Sequence, residues 1–153
     1  MSNNSIQSIR KRLLVNTSQK RAYEVFTQKI NSWWPRTHHI GKTPVKEFLL
    51  EPRVNGRWYS THEDGSECDT GKVLLWEPPN RLILAWQING EFQYVSSLIT
   101  EIEIKFIPDG PAKTIVEFEH RDLERLGGGG KTAESMDGGW GMVLELYAKE
   151  AAR

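Results

Sequence analysis

The sequence predicts an α+β domain in which a curved antiparallel sheet of about six to seven strands wraps around a long C-terminal helix. Three observations support this fold class. Polar and apolar residues alternate along the middle of the chain, which is the pattern of half-buried strands. Two short helical segments follow the first predicted strand. Apolar residues near the C-terminus then recur every three or four positions, which predicts an amphipathic helix.

The N-terminal elements are predicted to be one strand and two short helices. Residues 8–15 are β-branched and apolar with basic residues between them, which favours a strand. Residues 16–18, Asn-Thr-Ser, supply side chains that are typical of helix N-caps. The helical pattern ends at Trp33-Trp34-Pro35, because the residue before a proline avoids the helical conformation. Residues 36–43 are predicted to form a loop that carries His38 and His39.

Antiparallel strands separated by turns are predicted for the middle of the chain. Asp64-Gly65 is typical of a tight hairpin turn, and the two prolines in Glu77–Asn80 cannot continue a strand. Glu101, Glu103 and Lys105 are expected to face water, so one face of the sheet is dry and the C-terminal helix must cover it. A sheet that curls around one helix leaves room for an apolar cavity between them. The predicted strands span residues 46–50, 57–62, 70–76, 81–88 and 98–107, with a last strand around Val116 and Phe118.

Four consecutive glycines, residues 127–130, precede the C-terminal helix. Glycine has more backbone freedom than any other residue, so this run predicts a flexible hinge rather than regular structure. Met136, Trp140 and Tyr147 then lie on one face of a helix of about four turns. The pattern therefore predicts a covering helix that can loosen as a lid.

The composition restricts the class of protein. A chain of 153 residues predicts a single domain over residues 1–153, of which the polar residues 1–7 are expected to be disordered. Twenty basic residues balance twenty acidic ones, which argues against nucleic acid or an anionic membrane as a partner. No run of about 18 apolar residues predicts a membrane span. The single cysteine, Cys68, and an N-terminus without the pattern of a signal peptide favour a cytoplasmic location.

No catalytic residue, metal site or cofactor is predicted. His38 and His39 are adjacent and point opposite ways in an extended chain, so they rarely bind one ion. The acidic residues around Asp64 lack the alternating oxygen ligands of a calcium loop. The Gly-Lys-Thr at residues 130–132 lacks the first glycine of a phosphate-binding loop.

Several short motifs, taken in order, resemble a known family. The chain is similar to the activator-of-Hsp90-ATPase homologue 1-like domains of the START/Bet v 1-like superfamily, whose fold is called the helix grip. The similarity runs from about Ile9 to Ala148. The motifs are Val25-Phe26, Trp33-Trp34-Pro35, Gly56-Arg57-Trp58, Gly71-Lys72-Val73, Glu77-Pro78-Pro79 before Arg81-Leu82, and Gly139-Trp140 followed by Leu144.

The resemblance implies a binding cavity without naming its occupant. The wider superfamily carries lipids, hormones and polyketides, and a few members catalyse reactions. Members that act as co-chaperones bind Hsp90, but they usually carry another domain ahead of this one, for which the chain has no room. The resemblance also leaves open a homodimer and a link to the stress response.

Eleven residues are predicted to line the cavity, because aromatic and flexible apolar side chains suit a flat or apolar ligand. His120 has the parity of Val116 and Phe118 in the last strand and is the best polar candidate. The six tryptophans could also fill the same space themselves as core. The predicted ligand-binding residues are Phe26, Trp33, Trp34, His38, Trp58, Trp86, Phe118, His120, Met136, Trp140 and Leu144.

Three functions are compatible with these observations. The first is non-enzymatic binding of a small apolar molecule in a cavity between the sheet and the C-terminal helix. The second is an interaction module linked to the Hsp90 chaperone. The third is an enzyme that acts on a hydrophobic substrate, with His120 or a histidine at the cavity entrance as general acid or base.

Overall fold

The computed structural model describes residues 6–153. Residues 1–5, which were predicted to be disordered, lie outside the described range. Ile6 is partly buried against the core. The elements, in chain order, are β1 (Ile9–Val15), α1 (Gln19–Thr27), α2 (Ile30–Trp33), β2 (Val45–Leu50), β3 (Arg57–His62), β4 (Glu67–Glu77), β5 (Arg81–Trp86), β6 (Thr100–Pro108), β7 (Thr114–Arg121), a 3₁₀ turn (Leu123–Leu126) and α3 (Gly129–Ala151).

The seven strands form one antiparallel sheet in the order β1-β7-β6-β5-β4-β3-β2. Along β7 buried and half-buried residues alternate strictly, so one face of the strand is dry. The dry face packs against α1 and α3, and the core lies between these layers. The predicted α+β class, the two short helices and the long covering helix are confirmed.

The helix boundaries follow from local chemistry. The Ser18 hydroxyl accepts a hydrogen bond from the Arg21 N–H at 3.3 Å and caps α1. Trp34 has an extended backbone in front of Pro35, so α2 ends at Trp33 as predicted.

Three details of the prediction are corrected. β4 begins at Glu67 instead of Thr70, because Thr61 pairs with Glu67 directly across the hairpin turn. β5 ends at Trp86, and Ile88 forms only an isolated bridge with Tyr94. β6 begins at Thr100 instead of Leu98, so residues 87–99 form a long connection.

Glu103 does not face water as predicted. Its side chain lies between Arg81 and Arg121 on the outer face of the sheet, and the residue is only 9% exposed. Burial disfavours its charge, but hydrogen bonds from Arg121 and Arg81 outweigh burial and lower the pKa of Glu103. The outer face of the sheet is thus an ion-pair network across neighbouring strands.

The C-terminal helix is longer than predicted. α3 has 23 residues, or more than six turns, and its first residues are Gly129 and Gly130. Only Gly127 and Gly128 precede the helix, and both have positive φ angles of 81° and 78°. Among residues 6–153, no helix is long and apolar enough to cross a membrane.

Candidate ligand pocket

Four tryptophans from four parts of the fold meet under α3 and form what we call the tryptophan tetrad. Trp34 follows α2, Trp58 lies on β3, Trp86 ends β5 and Trp140 lies on α3. Each ring contacts two others of the tetrad, with centroids 5.6–5.7 Å apart and interplanar angles of 64–89°. This is the edge-to-face arrangement that aromatic side chains prefer. The tetrad therefore fills much of the interior that was predicted to be a cavity.

The three tetrad tryptophans that line the pocket each donate a hydrogen bond from the indole N–H. Trp34 donates to the His38 carbonyl at 2.8 Å, and Trp86 donates to the Ile88 carbonyl at 2.9 Å. Trp140 donates to Nδ1 of His120 at 3.1 Å. These bonds hold the rings in fixed orientations, because a buried N–H without a partner is costly.

His120 is buried with no exposed surface, and both of its ring nitrogens are occupied. Because Nδ1 accepts from Trp140, the ring proton lies on Nε2, which donates to the Thr100 hydroxyl at 2.8 Å. Thr100 in turn donates to the Trp86 carbonyl at 3.1 Å. Burial lowers the pKa of His120 to about 3, so the imidazole is neutral. Its geometry is that of a structural bridge between the sheet and α3.

An open cleft of about 490 Å³ lies between α3 and two connections of the sheet, and we call it the α3 pocket. Its walls come from residues 34–40, residues 86–92 and the first half of α3. The apolar lining consists of Trp34, Ile40, Trp86, Ile88, Phe92, Met136, Trp140 and Val143, and the polar lining of Thr37, His38, His39, Asn89, Lys131, Thr132 and Ser135, with Gly90 and Gly139 between them.

Five of the eleven predicted residues line the α3 pocket. These are Trp34, His38, Trp86, Met136 and Trp140. The other six lie in the core behind it, because their side chains pack against each other. Phe26 and Trp33 both contact Tyr147. Trp58 lies behind Trp34 and Trp86, and the ring centroids of Phe118 and Trp140 are 4.7 Å apart. Leu144 and His120 are buried.

Sequence reasoning missed the wall formed by Ile88, Asn89, Gly90 and Phe92. This segment lies in the connection after β5; Ile88 was predicted to end the strand, and no element was predicted for residues 89–97. One signal was available: Asn89-Gly90 is a turn-forming pair, and the aromatic Phe92 that follows fits neither flanking strand.

The two adjacent histidines of the loop have separate partners. His38 Nδ1 lies 2.9 Å from the Thr37 hydroxyl, and His39 Nδ1 lies 3.0 Å from the Ile40 carbonyl. Among residues 6–153, no group of three His, Cys, Asp or Glu side chains is arranged to hold a metal ion.

The curled sheet, the covering helix and the aromatic cleft between them define a helix-grip protein. More specifically, the chain belongs to the family described as activator of Hsp90 ATPase homolog 1-like proteins, whose sequence profile matches residues 16–149. The resemblance inferred from the sequence motifs is thereby confirmed.

Solved structures extend the comparison. An anthrahydroquino-γ-pyrone synthase, Txn09, in complex with SUM, is 36% identical, with 97% of this chain and 99% of that chain covered and a TM-score of 0.69. The self-sacrificing resistance protein CalC from Micromonospora echinospora is 28% identical, with 94% and 93% covered and a TM-score of 0.70. A protein of unknown function from Enterococcus faecalis, EF2215, shares the fold at 16% identity, with 97% and 72% covered and a TM-score of 0.69. No curated protein sequence matches the chain.

Proposed function

We propose that the protein binds a flat, polycyclic aromatic compound in the α3 pocket. The observation that carries this proposal is the convergence of Trp34, Trp86 and Trp140 on one open cleft, with Met136 beside them. Aromatic faces stack on flat rings, and methionine adapts to irregular shapes. A volume of about 490 Å³ is within the range of sites for small molecules.

The filled interior favours a flat ligand over a long acyl chain. An acyl chain needs a deep apolar tunnel, but the space under α3 that would hold one is occupied by the tryptophan tetrad. A cleft that is broad and open accepts a plane of fused rings at its surface. The polar lining, which includes His38, Lys131 and Ser135, can hydrogen-bond to phenol or quinone oxygens at the edge of such a plane.

The relatives support the same class of ligand. The relative that is 36% identical over 97% of this chain is named as a synthase of an anthrahydroquino-γ-pyrone, which is a flat, fused-ring compound. We therefore choose emodin, a trihydroxyanthraquinone, as the probe, and palmitate as the comparison for a flexible lipid.

Calorimetric titration tests the proposal. We expect emodin to bind the wild type and to raise its melting temperature, and palmitate to do neither. Met136→Ala removes a pocket side chain and should weaken emodin binding roughly tenfold through lost apolar contact. Met142→Ala makes the same change on the same helix outside the pocket lining and serves as the control. Binding of palmitate but not emodin would overturn the proposal.

A second candidate function is ring closure of an aromatic polyketide, and the synthase at 36% identity favours it. In such a closure a phenol oxygen adds to a ketone carbon while its proton leaves, and the resulting hydroxyl departs as water to form the pyrone. Both steps need a group that exchanges a proton. His38 is an exposed pocket histidine, whereas His120 is sealed from the pocket.

The cyclase candidate makes its own prediction. An anthrahydroquinone with a 1,3-diketone side chain should lose one water in the presence of the wild type, as followed by mass spectrometry. His38→Gln should abolish this turnover while emodin still binds, whereas His39→Gln changes the other pocket histidine and should retain the turnover. No turnover by the wild type would overturn the cyclase candidate, and equal turnover by His38→Gln would show that His38 is not the group that exchanges the proton. The Hsp90-linked module, the homodimer and the cytoplasmic location stay predictions.

A further inference from the structure

Phe92 is the most exposed large apolar side chain among the described residues. It is 75% exposed, although it lines the α3 pocket. Tyr94, the next aromatic residue along the chain, is 38% exposed and is not part of the pocket lining. An exposed aromatic ring at the edge of an apolar cleft has one face that only a ligand or water can cover.

The backbone at Phe92 has an unfavourable conformation. Its φ angle is +61°, in the left-handed region that bulky side chains avoid. The turn around it, residues 89–93, which we call the aromatic turn, enforces this conformation. The Asn89 side-chain carbonyl accepts hydrogen bonds from the N–H groups of Glu91 at 2.9 Å and Gln93 at 3.0 Å. The Phe92 N–H donates to the Asn89 carbonyl at 3.0 Å.

The aromatic turn is also hydrogen-bonded to the 3₁₀ turn that precedes α3. The Gly90 N–H donates to the Leu126 carbonyl at 2.8 Å. A Cβ atom at Gly90 would lie 2.9 Å from the Thr132 hydroxyl and 3.1 Å from the Gly127 carbonyl, so this close approach favours glycine. The position of Phe92 relative to α3 is therefore set by the fold rather than by its own side chain.

We propose that Phe92 is a ligand-contacting residue that covers the outer side of the ring system bound in the α3 pocket and so sets its residence time. The inference rests on the proposed function. The strained backbone is explained by this role, because strained conformations persist where function needs a side chain in one place. A turn held by its own hydrogen bonds presents the ring without an ordering cost at the moment of binding.

Three variants test the proposal with emodin as the probe. Phe92→Ala should weaken emodin binding roughly tenfold, mainly through faster dissociation, because one apolar contact face is lost. Phe92→Tyr keeps the aromatic face and should bind as the wild type does. Tyr94→Ala truncates the neighbouring exposed aromatic residue outside the pocket and should also leave binding unchanged. Stopped-flow quenching of tryptophan fluorescence measures both rate constants.

Stability separates this role from a structural one. Phe92→Ala should melt at nearly the same temperature as the wild type, since the ring is 75% exposed and alanine keeps the same Cβ atom in the left-handed backbone. Equal emodin affinity and dissociation rate in Phe92→Ala and the wild type would overturn the inference alone. Failure of the wild type to bind emodin would overturn the proposed function and this inference with it.

Discussion

The alternation of inward and outward residues along β7 predicts the direction of the His120 side chain but not its partners. Parity in β7 indicated that its side chain points inward, and the structure confirms that direction. Its partners, Thr100 and Trp140, each lie 20 residues away along the chain, on β6 and α3. Their contact depends on strand register and helix rotation, which alternation in the sequence does not encode. His120, which the sequence suggested as a ligand-binding or acid–base residue, is a neutral imidazole that bridges β6 and α3.

The neutral state of His120 predicts a pH dependence of stability. Its folded pKa is about 3, whereas an unfolded histidine titrates near 6.5. Below pH 6.5 the unfolded chain binds a proton that the folded chain does not, so the free energy of unfolding falls. The slope is on the order of 1.4 kcal/mol per pH unit, and the contribution is lost by about pH 3.

His120→Gln isolates this contribution, because an amide can accept from Trp140 and donate to Thr100 without titrating. We expect the variant to be less stable than the wild type at pH 7, by about 1 kcal/mol. The difference should shrink and then reverse as the pH falls to 4. Urea unfolding at several pH values measures it, with His39→Gln as the control. A constant difference across this range would show that His120 is not buried and neutral.

At the scale of the element, α3 was predicted correctly in place and face but not in length. The glycine run suggested a hinge over residues 127–130, yet the helix already begins at Gly129. Glycine lowers helix propensity but does not forbid a helix, and the hydrogen bond from Gly90 to Leu126 anchors the chain just before α3 begins. Periodicity predicts no element for residues 89–97 for a related reason. Its turn is closed by side-chain and long-range hydrogen bonds that leave no periodic pattern.

Neither packing nor backbone conformation requires glycine at three positions inside α3, which are Gly138, Gly139 and Gly141. A Cβ atom at any of them meets nothing within 4 Å, and none has a positive φ angle. Each glycine costs a helix about 1 kcal/mol relative to alanine. Of the three, only Gly139 lines the α3 pocket, where its missing side chain leaves room beside Trp140.

Gly138→Ala and Gly139→Ala form a matched pair on adjacent positions. Both should raise the free energy of unfolding by up to about 1 kcal/mol, because both strengthen the helix. Only Gly139→Ala places a methyl group in the pocket, so only this variant should change emodin affinity. Thermal unfolding and calorimetric titration measure the two effects separately. Equal emodin affinity in both variants would show that the ligand does not approach α3 at this residue.

For the whole molecule, the order of elements and the covered face could be predicted because both depend on local periodicity and on the need to bury one side of the sheet. The site could be predicted only in part. Trp34, Trp86 and Trp140 do line the pocket, but Trp58 and Phe118 fill the core behind it. Whether an inward aromatic ring borders a cavity or fills it depends on distances between elements. The tetrad closes the interior and moves the open space outward to the first half of α3.

The tetrad couples the stability of the whole domain to the size of the pocket. Trp58 is 2% exposed and contacts Trp34 and Trp86, which are both pocket residues. Trp58→Ala should lower the free energy of unfolding by about 3–5 kcal/mol, because it leaves a large buried void. That void lies directly behind the pocket wall, so emodin should stabilise this variant more than it stabilises the wild type.

Trp76→Ala is the matched control for this effect. Trp76 is half-buried and is not part of the pocket lining. Its ring centroid lies 5.2 Å from that of Tyr23. The control should lose stability without any added gain from emodin, and Trp58→Phe provides a milder variant if the alanine protein unfolds. Urea unfolding with and without emodin measures the gain in each protein. An equal gain in Trp58→Ala and Trp76→Ala would mean that the interior and the α3 pocket are separate, because a void connected to the pocket must alter ligand binding.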